Sequence, residues 1–163
     1  MIGVDEIKRF IPHRYPILLL DQVTEVSPGR SLTAIKAVTC NEPYYRRVGA
    51  DAGPRGHHYP SLLLLESWAQ AASLLVLWEQ PNPDVLSGKV VLGGVMKNVR
   101  FLRPVLPGEV LSHRVRLVRQ VEDSSIVEGE TLVGSEVVHE AGAVVSLRPA
   151  EVLRQAAPVG GAS

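Results

Sequence analysis

The stretch from Pro60 to Gln80 constrains the fold of this chain more than any other. Its sequence, PSLLLLESWAQAASLLVLWEQ, is apolar around most of a helical circumference, and prolines follow at positions 81 and 83. Pro60 suits a first helical turn because proline has no N–H to lose there, and Ser61 can act as the N-cap instead. A helix that is apolar on nearly all sides is either buried or spans a membrane.

Polar residues exclude the membrane alternative. Glu66, Ser67, Gln70 and Ser73 interrupt the stretch, whereas a membrane span needs a run of about 18 apolar residues. The stretch therefore predicts a buried helix on which Glu66, Gln70 and Ser73, at i, i+4 and i+7, form one narrow polar stripe. An unpaired buried carboxylate would cost several kcal/mol, so Glu66 is paired, protonated or facing a cavity. A structural and a functional role for Glu66 both remain open at this point.

Composition indicates one globular domain, with no general attraction for nucleic acid or membranes. The chain has 163 residues, 45% apolar, and its 17 basic side chains balance 17 acidic ones. We expect a single domain over residues 1–154 and a disordered, Gly-rich tail over residues 155–163. The single cysteine, Cys40, excludes an internal disulfide. No secretory signal is visible at the N-terminus, so we expect a cytoplasmic protein.

The order of the other elements predicts an α+β fold. A short helix over residues 5–11 precedes a β-hairpin of residues 17–26 and 31–39, and a long Gly- and Pro-rich loop covers residues 41–59. Such long loops are usually functional or disordered. After the long helix the chain is β-rich, over residues 89–96, 99–101, 110–120, 126–133 and 136–147. A single antiparallel sheet wrapped around the helix accommodates every element, and a dimer would complete its burial.

Four sequence motifs occur together, in one order. They are PHRYP at Pro12–Pro16 followed by ILLLD, NEPYY at Asn41–Tyr45, LESWAQAA at Leu65–Ala72, and KNVRFLRPVLPG at Lys97–Gly108. Together they resemble the FabZ-type 3-hydroxyacyl-acyl carrier protein dehydratases, whose fold is the hot dog fold. The resemblance covers about residues 5 to 150 and implies a hot dog fold for this chain.

The resemblance also implies a reaction and its residues. In this family a histidine removes the proton α to a thioester, a carboxylate on the central helix protonates the departing hydroxyl, and N–H groups at the start of that helix polarise the thioester carbonyl. Glu66 matches the carboxylate position. Tyr59, Ser61, Leu62 and Gln70 are the implied substrate-binding residues. The substrate is carried on phosphopantetheine, and neither a metal nor another cofactor is expected.

The catalytic histidine is where this sequence departs from the family pattern. The family has Gly-His-Phe-Pro-Gly after the NEP motif, whereas here Tyr45 is followed by RRVGADAGPRGHHYPS. Counting back from Glu66 at the family's spacing gives Ala52, which cannot transfer a proton. Two alignments remain open. Either His58, next to His57, begins a displaced version of the motif, or the histidine is lost, and continuity of the helix favours its loss.

Family geometry suggests how such a chain could still function, because each active site takes its histidine from one subunit and its carboxylate from the other. This chain could therefore supply Glu66 to a different, intact partner. The expected assembly is a homodimer or a heterodimer with a second dehydratase-like subunit, with a trimer of dimers as a higher assembly. Arg46, Arg47 and Arg103 are candidates for docking an acidic carrier protein, and His13 is predicted to be structural. The alternative functions are a non-catalytic acyl-carrier-binding or scaffold protein and a thioesterase whose carboxylate activates water.

Overall fold

The computed structural model describes residues 1–49 and 51–152, and the predicted tail over residues 155–163 lies outside the described residues. The helices are α1 (Val4–Phe10), α2 (Gly53–Gly56) and α3 (Ser61–Leu77), with a 3₁₀-helix at Pro43–Arg47. The strands are β1 (Ile2–Gly3), β2 (Gln22–Ser27), β3 (Ser31–Ala37), β4 (Lys89–Phe101), β5 (Val110–Val121), β6 (Ser124–Val133) and β7 (Glu136–Pro149). They form one antiparallel sheet in the order β1-β2-β3-β5-β6-β7-β4. The prediction of an antiparallel sheet packed against one long helix is confirmed.

Helix α3 begins at Ser61, and Pro60 rather than Ser61 occupies the N-cap. The helix ends at Leu77, three residues before the predicted end at Gln80. Its last turn tightens, because the Trp78 N–H donates to the Leu75 carbonyl at 3.4 Å. Pro81 also disfavours a helical conformation in the residue before it.

The helix is buried as its composition predicts. Trp68 has no exposed surface, and it packs in the main core with apolar residues of α1, β2, β3 and the strands β5 to β7. Near the end of α3, the Trp78 ring stacks on Phe10 with centroids 4.9 Å apart. None of the helices in residues 1–49 and 51–152 is long and apolar enough to cross a membrane.

Strand β4 forms one edge of the sheet. The sequence predicts two strands here, over residues 89–96 and 99–101, but the structure has one strand of 13 residues. Its pairing with β7 shifts between Lys97 and Arg100, where Asn98 adopts a positive φ of 53°. This bulge interrupts the alternation of side chains without ending the strand. The sequence pattern therefore predicts two strands where the structure has one.

The long loop over residues 41–59 is closed by a cluster that we call the loop clamp, formed by Lys36, Glu42 and Tyr59. Lys36, only 5% exposed, places its Nζ 3.1 Å from Glu42 Oε1 at the beginning of the loop. The same Nζ lies 5.4 Å from the centroid of the Tyr59 ring at the end of the loop. The Tyr59 N–H donates to the Val105 carbonyl at 2.7 Å. The two ends of the loop are thus held together beside the start of α3.

Two histidines are buried beneath α3 and joined by one hydroxyl group. Thr131 Oγ1 lies 2.9 Å from His113 Nδ1 and 3.1 Å from His139 Nδ1, and all three residues have no exposed surface. Burial lowers the pKa of His113 to about 3 and that of His139 to about 4. Both imidazoles are therefore neutral at pH 7.

The buried histidines predict that acid destabilises the fold. The unfolded chain binds protons at both histidines near pH 6.5, whereas the folded chain binds them only near pH 3 to 4. Above about pH 6.5 both states hold these histidines neutral and the fold keeps its full stability. Between about pH 6.5 and 4 only the unfolded state takes up the protons, so stability is lost as the pH falls. Because the unfolded state alone takes up nearly two protons here, these histidines should lower the free energy of unfolding by about 2.4 kcal/mol as the pH falls from 6 to 5.

Urea denaturation at pH 5.0, 5.5 and 6.0 measures this slope. A double variant, His113→Asn with His139→Asn, should show a much shallower slope, because asparagine does not titrate. Thr131→Val is the matched control, since it disturbs the same cluster but keeps both histidines and should therefore keep the slope. Equal slopes in the wild-type chain and the double variant would contradict the prediction.

Candidate active site

Glu66 lies in the wall of a cavity of about 300 Å³ between α3 and the strands β4 and β7. The helix contributes Glu66, Gln70 and Ser73, which form the predicted polar stripe, together with small residues such as Ala69 and Ala72. The opposite wall is Gly93 to Met96 of β4 and Ala143 to Val145 of β7. The carboxylate thus faces a space bounded by small and apolar residues.

The Glu66 carboxylate is also paired. Its Oε1 accepts a hydrogen bond from Gln70 Nε2 at 2.9 Å, and His13 Nε2 lies 3.3 Å from the same oxygen. Gln70 is itself fixed, because its Nε2 donates to the Ile17 carbonyl at 2.7 Å and its Oε1 accepts from the Leu19 N–H at 3.0 Å. Two of the three conditions expected for a carboxylate on this helix, pairing and a cavity, are therefore met.

Opposing influences act on the ionisation of Glu66. Burial is the largest single influence and raises its pKa, whereas the hydrogen bonds from His13 and Gln70 lower it, as does the charge that His13 can carry. The lowering influences together prevail, and the pKa of Glu66 lies below its usual value. In the single chain Glu66 is therefore an ionised carboxylate at neutral pH, whereas the family's reaction needs a carboxyl group that holds a proton.

His13 is the residue of this site that the sequence did not assign to it. Its sequence position, in the segment after α1, is 53 residues away from Glu66, and no periodicity connects two residues so far apart. The only sequence signal for His13 is its place in the Pro12–Pro16 motif, from which we predict a structural role. The structure shows that this motif reaches the carboxylate.

The start of α3 carries free backbone donors. The N–H groups of Leu63 and Leu64 donate to the Pro60 carbonyl at 2.9 and 3.0 Å. The preceding two N–H groups, of Ser61 and Leu62, have no acceptor among the described residues, and both side chains are exposed. Free N–H groups at a helix N-terminus favour a negatively charged oxygen. Neither Ser61 nor Leu62 lines the Glu66 cavity, so their contact with a thioester carbonyl stays a prediction.

Tyr59 has a different environment from the other implied substrate-binding residues. Its side chain is 4% exposed and packs in a second apolar cluster with Val38, Leu64 and Val105. Burial, followed by the nearby Glu42 carboxylate, raises the pKa of its hydroxyl. The structure therefore places the Tyr59 side chain in the loop clamp rather than in the wall of the Glu66 cavity.

The loop histidines do not line the cavity around Glu66. His57 places its Nδ1 3.1 Å from the Gly53 carbonyl, and its ring stacks with Tyr45 at a centroid distance of 6.4 Å. His58 is half-buried, and its N–H donates to the Arg55 carbonyl at 3.2 Å. Ala52, at the position counted for the base, is exposed just before α2. Within one chain, then, no loop histidine accompanies the carboxylate.

The three candidate docking arginines fall into two groups. Arg46 and Arg47 are exposed on the 3₁₀-helix. Arg103 instead binds two carboxylates of its own chain, Glu109 at 3.0 Å and Glu136 at 2.8 Å. The charge of Arg103 is thus balanced internally, while Arg46 and Arg47 point to solvent.

A larger concavity of about 1000 Å³ lies on the sheet face turned away from α3. Its charged side chains pair across neighbouring strands, as Arg100–Glu140, Arg114–Glu130 and Arg116–Glu128. Paired surface charges of this kind indicate a solvated face rather than a reaction site. In the part of the chain that the structure describes, no three His, Cys, Asp or Glu side chains are grouped to hold a metal ion.

Comparison with known proteins identifies the family. A family model described as a FabA-like domain matches residues 11–142. The chain belongs to the FabA-like family. This FabA-like chain is 35% identical over 150 residues to the FabZ 3-hydroxyacyl-[acyl-carrier-protein] dehydratase of Magnetococcus marinus, covering 92% of the chain and 94% of the relative. It is 39% identical over 140 residues to the FabZ of Shewanella amazonensis, covering 84% of the chain and 86% of the relative. The resemblance to FabZ-type dehydratases is confirmed.

Solved structures confirm the hot dog fold of the FabA-like chain. A chain of the dehydratase heterocomplex ApeI:P from Xenorhabdus doucetiae superposes with a TM-score of 0.74 at 21% identity, covering 91% of this chain and 95% of that one. A hot-dog-like protein from Thermanaerovibrio acidaminovorans superposes with a TM-score of 0.61 at 16% identity, covering 78% and 87%. At these identities the likeness concerns the fold.

Proposed function

We propose that the chain is a 3-hydroxyacyl-acyl carrier protein dehydratase, or a subunit of one, in fatty acid or polyketide biosynthesis. The observation that carries the proposal is Glu66, a carboxylate facing a cavity on the helix whose first N–H groups are free. It occurs in a chain that is 35–39% identical to proteins named as such dehydratases. The substrate would arrive on the phosphopantetheine of a carrier protein, and the proposed reaction uses no cofactor of the chain's own.

The proposed reaction is a β-elimination. A base removes the C2 proton, the electrons of that C–H bond form the C2=C3 double bond, and the C3–O bond breaks. Glu66 gives its proton to the departing hydroxyl, which leaves as water. The N–H groups of Ser61 and Leu62 bind the thioester oxygen while negative charge develops on it. Gln70 acts on the substrate only through Glu66, because it is 1% exposed.

The exposed edge of β4 supports a dimer as the functional unit. This edge strand has 13 residues, and three of its apolar side chains, Val95, Met96 and Phe101, are 52%, 42% and 41% exposed. Long edge strands with exposed apolar side chains tend to pair with another strand. A second subunit at this edge would cover the cavity and withdraw water from Glu66. Further burial raises the pKa of a carboxyl group, so pairing favours the protonated form that the reaction needs.

We expect the purified protein to have twice the 17.7 kDa mass of one chain by light scattering. Val95→Lys, which places a charge on the β4 edge, should shift the mass toward that of a monomer. Val118→Lys is the matched control, because Val118 is 47% exposed but lies on β5, inside the sheet. A monomeric mass for the wild-type protein, both alone and mixed with a homologous partner, would contradict the dimer.

Glu66→Gln should abolish dehydration, because glutamine keeps the volume of the side chain but has no acid proton to donate. General acid catalysis contributes about 10²–10⁴-fold, and we expect a loss in this range. Ser73→Ala is the control on the same stripe, since the Ser73 hydroxyl binds only the Ala69 carbonyl of its own helix, at 2.9 Å. Because the chain alone is expected to be weak, formation of the enoyl thioester is measured with both variants in mixed dimers with a homologue that keeps its catalytic histidine. Activity of Glu66→Gln within about tenfold of wild type, roughly 1.4 kcal/mol of barrier, would give Glu66 a structural role.

The altered loop leads us to propose that the chain needs a partner's histidine. Ala52 stands at the counted base position. The Nδ1 atom of His57 contacts the Gly53 carbonyl, and its ring stacks with Tyr45. The chain alone should therefore be a weak or inactive dehydratase. An intact homologue from the same genome, with its own catalytic carboxylate changed to the amide, is equally inactive alone. Mixed dimers of the two should regain activity, through the partner's histidine and Glu66.

The mixed dimer has two internal controls. Glu66→Gln in this chain should remove the regained activity, whereas His57→Ala and His58→Ala should change it little. A lone wild-type chain that works at an ordinary dehydratase rate, and loses that rate in His57→Ala or His58→Ala, would overturn the proposal. That result would identify the histidine whose substitution abolishes the rate as the base.

The ionised state of Glu66 in the single chain favours one alternative function. A carboxylate can activate water, so a thioesterase would use Glu66 without a proton. The two functions give different products from one carrier-bound 3-hydroxyacyl thioester. Dehydration forms an enoyl thioester, while hydrolysis releases a free carrier thiol. A non-catalytic acyl-carrier-binding protein would form neither product.

Docking of the acidic carrier is assigned to Arg46 and Arg47, the exposed members of the candidate set. Arg103 is less suited to this role, because its charge is balanced by Glu109 and Glu136. A cytoplasmic location is part of the proposal, and the single exposed Cys40 suits a reducing compartment.

A further inference from the structure

The contact between His13 and Glu66 goes beyond the proposed function, although the inference drawn from it rests on that function. His13 Nε2 lies 3.3 Å from Glu66 Oε1, and the side chain of His13 is 27% exposed. Both side chains line the same cavity. The contact joins the segment after α1 to the middle of α3, so its geometry depends on how that segment is held.

Two side chains fix the backbone around His13. The Arg14 guanidinium donates to the carbonyls of Lys8 at 3.0 Å, Ile11 at 2.9 Å and His13 itself at 2.7 Å. These bonds satisfy carbonyl groups at the end of α1 and shape the turn that carries His13. Further along, the buried amide of Gln70 binds the backbone at positions 17 and 19. The imidazole is therefore presented to Glu66 by a backbone that is anchored on both sides.

The hydrogen-bond pattern decides the form of the imidazole. Among the described residues, His13 Nδ1 is buried and has no hydrogen-bond partner. A proton at Nδ1 would be a buried donor without an acceptor, both in the cation and in the Nδ1–H tautomer. A proton at Nε2, by contrast, can be donated to the Glu66 carboxylate. The geometry therefore favours the Nε2–H tautomer of His13, which presents a donor to the Glu66 carboxylate and keeps the other ring nitrogen buried.

The two oxygens of Glu66 consequently have different surroundings. Oε1 receives the hydrogen bonds of His13 and Gln70, the latter at 2.9 Å. In the described part of the chain, Oε2 has no hydrogen-bond partner. A carboxyl group that accepts at one oxygen and carries its proton on the other is a suitable acid, since its donors also stabilise the carboxylate that remains.

We propose that His13 is a positioning residue, which binds Glu66 Oε1 and so makes Oε2 the oxygen that gives its proton to the departing 3-hydroxyl. The Oε2–H bond breaks, its proton joins the hydroxyl oxygen, and that oxygen leaves with the electrons of the C3–O bond as water. The negative charge remains on Glu66, where the N–H donors of His13 and Gln70 stabilise it. The base that takes the C2 proton lies elsewhere.

The titration of Glu66 tests this role without any turnover. His13 and Glu66 are the titratable groups in the described cavity wall, since β4 and β7 contribute glycine, alanine, valine and methionine there. The charged residue next to His13 in the chain, Arg14, is directed to backbone carbonyls. A change in the Glu66 midpoint after substitution of His13 can therefore be attributed to the pair.

Three variants separate a hydrogen-bond donor from a space-filling side chain. His13→Gln places an amide N–H close to the position of Nε2. His13→Asn has a shorter side chain that does not reach Glu66, and His13→Leu fills the space without a donor. The Glu66 carboxyl is followed by ¹³C NMR from pH 3 to 8 and assigned with Glu66→Gln. We expect the midpoint to rise in His13→Leu and His13→Asn, and to stay near wild type in His13→Gln.

Two further measurements complete the test. Long-range ¹H–¹⁵N spectra of the wild-type chain should show His13 as the Nε2–H tautomer at pH 7. In the mixed dimer, kcat should fall by about 10²-fold in His13→Leu with little change in KM, and His13→Gln should recover most of it. Unfolding curves verify that each variant is folded, and the His13→Gln and His13→Asn pair decides the outcome if His13→Leu does not fold.

An unchanged Glu66 midpoint in folded His13→Leu and His13→Asn would overturn the proposal, as would a wild-type Nδ1–H tautomer. The midpoint and the tautomer do not depend on turnover. If no enoyl product forms in any combination of chains, the proposed function fails, while the spectra still decide whether His13 binds and orients Glu66. The two failures are thus distinguishable.

Discussion

The buried amide of Gln70 is the interaction on which the arrangement of this site depends. Its Nε2 donates to the Ile17 carbonyl and to Glu66, and its Oε1 accepts from the Leu19 N–H. A buried polar group that loses its partner costs about 1–3 kcal/mol, so this side chain strongly favours one path for the backbone before β2. That path brings the N-terminal segment across α3. Without it, Glu66 Oε1 would lose the donor from Gln70 and the backbone path that brings His13 beside it.

The fold could be predicted from the sequence because its main elements are local patterns. The apolar circumference of Pro60–Gln80 predicts a buried helix, and punctuation by proline and glycine separates the strands. The errors lie where hydrogen bonds over a long distance in sequence replace local ones. The strand predicted from residue 17 begins only at Gln22, because Gln70 and the Arg14 carbonyl take the backbone groups at positions 17 to 19.

The candidate site was predictable in part, for a related reason. Glu66 and Gln70 are one helical turn apart, so their spacing places them on one stripe. His13 reaches the same carboxylate only through the path of the segment after α1, which no periodicity describes. The predicted base presents a different problem, because Ala52 stands at the counted position and neither His57 nor His58 lines the Glu66 cavity. One chain therefore contains the surroundings of the carboxylate without a loop histidine beside it.

The loop clamp has a consequence for how such a chain can change. Lys36 and Glu42 hold the loop where it begins, and Tyr59 and Val105 hold it where it ends. Because both ends of the loop are fixed, extra residues between them change only the entropy cost of closing the loop. Doubling the length of the loop lowers the free energy of unfolding by only about 0.6 kcal/mol. Insertions and losses within residues 43–58 can thus accumulate while α3 still begins at Ser61. The loop histidines His57 and His58 thus lie in a segment whose length can change at little thermodynamic cost, whereas Glu66 lies on a buried helix whose packing cannot.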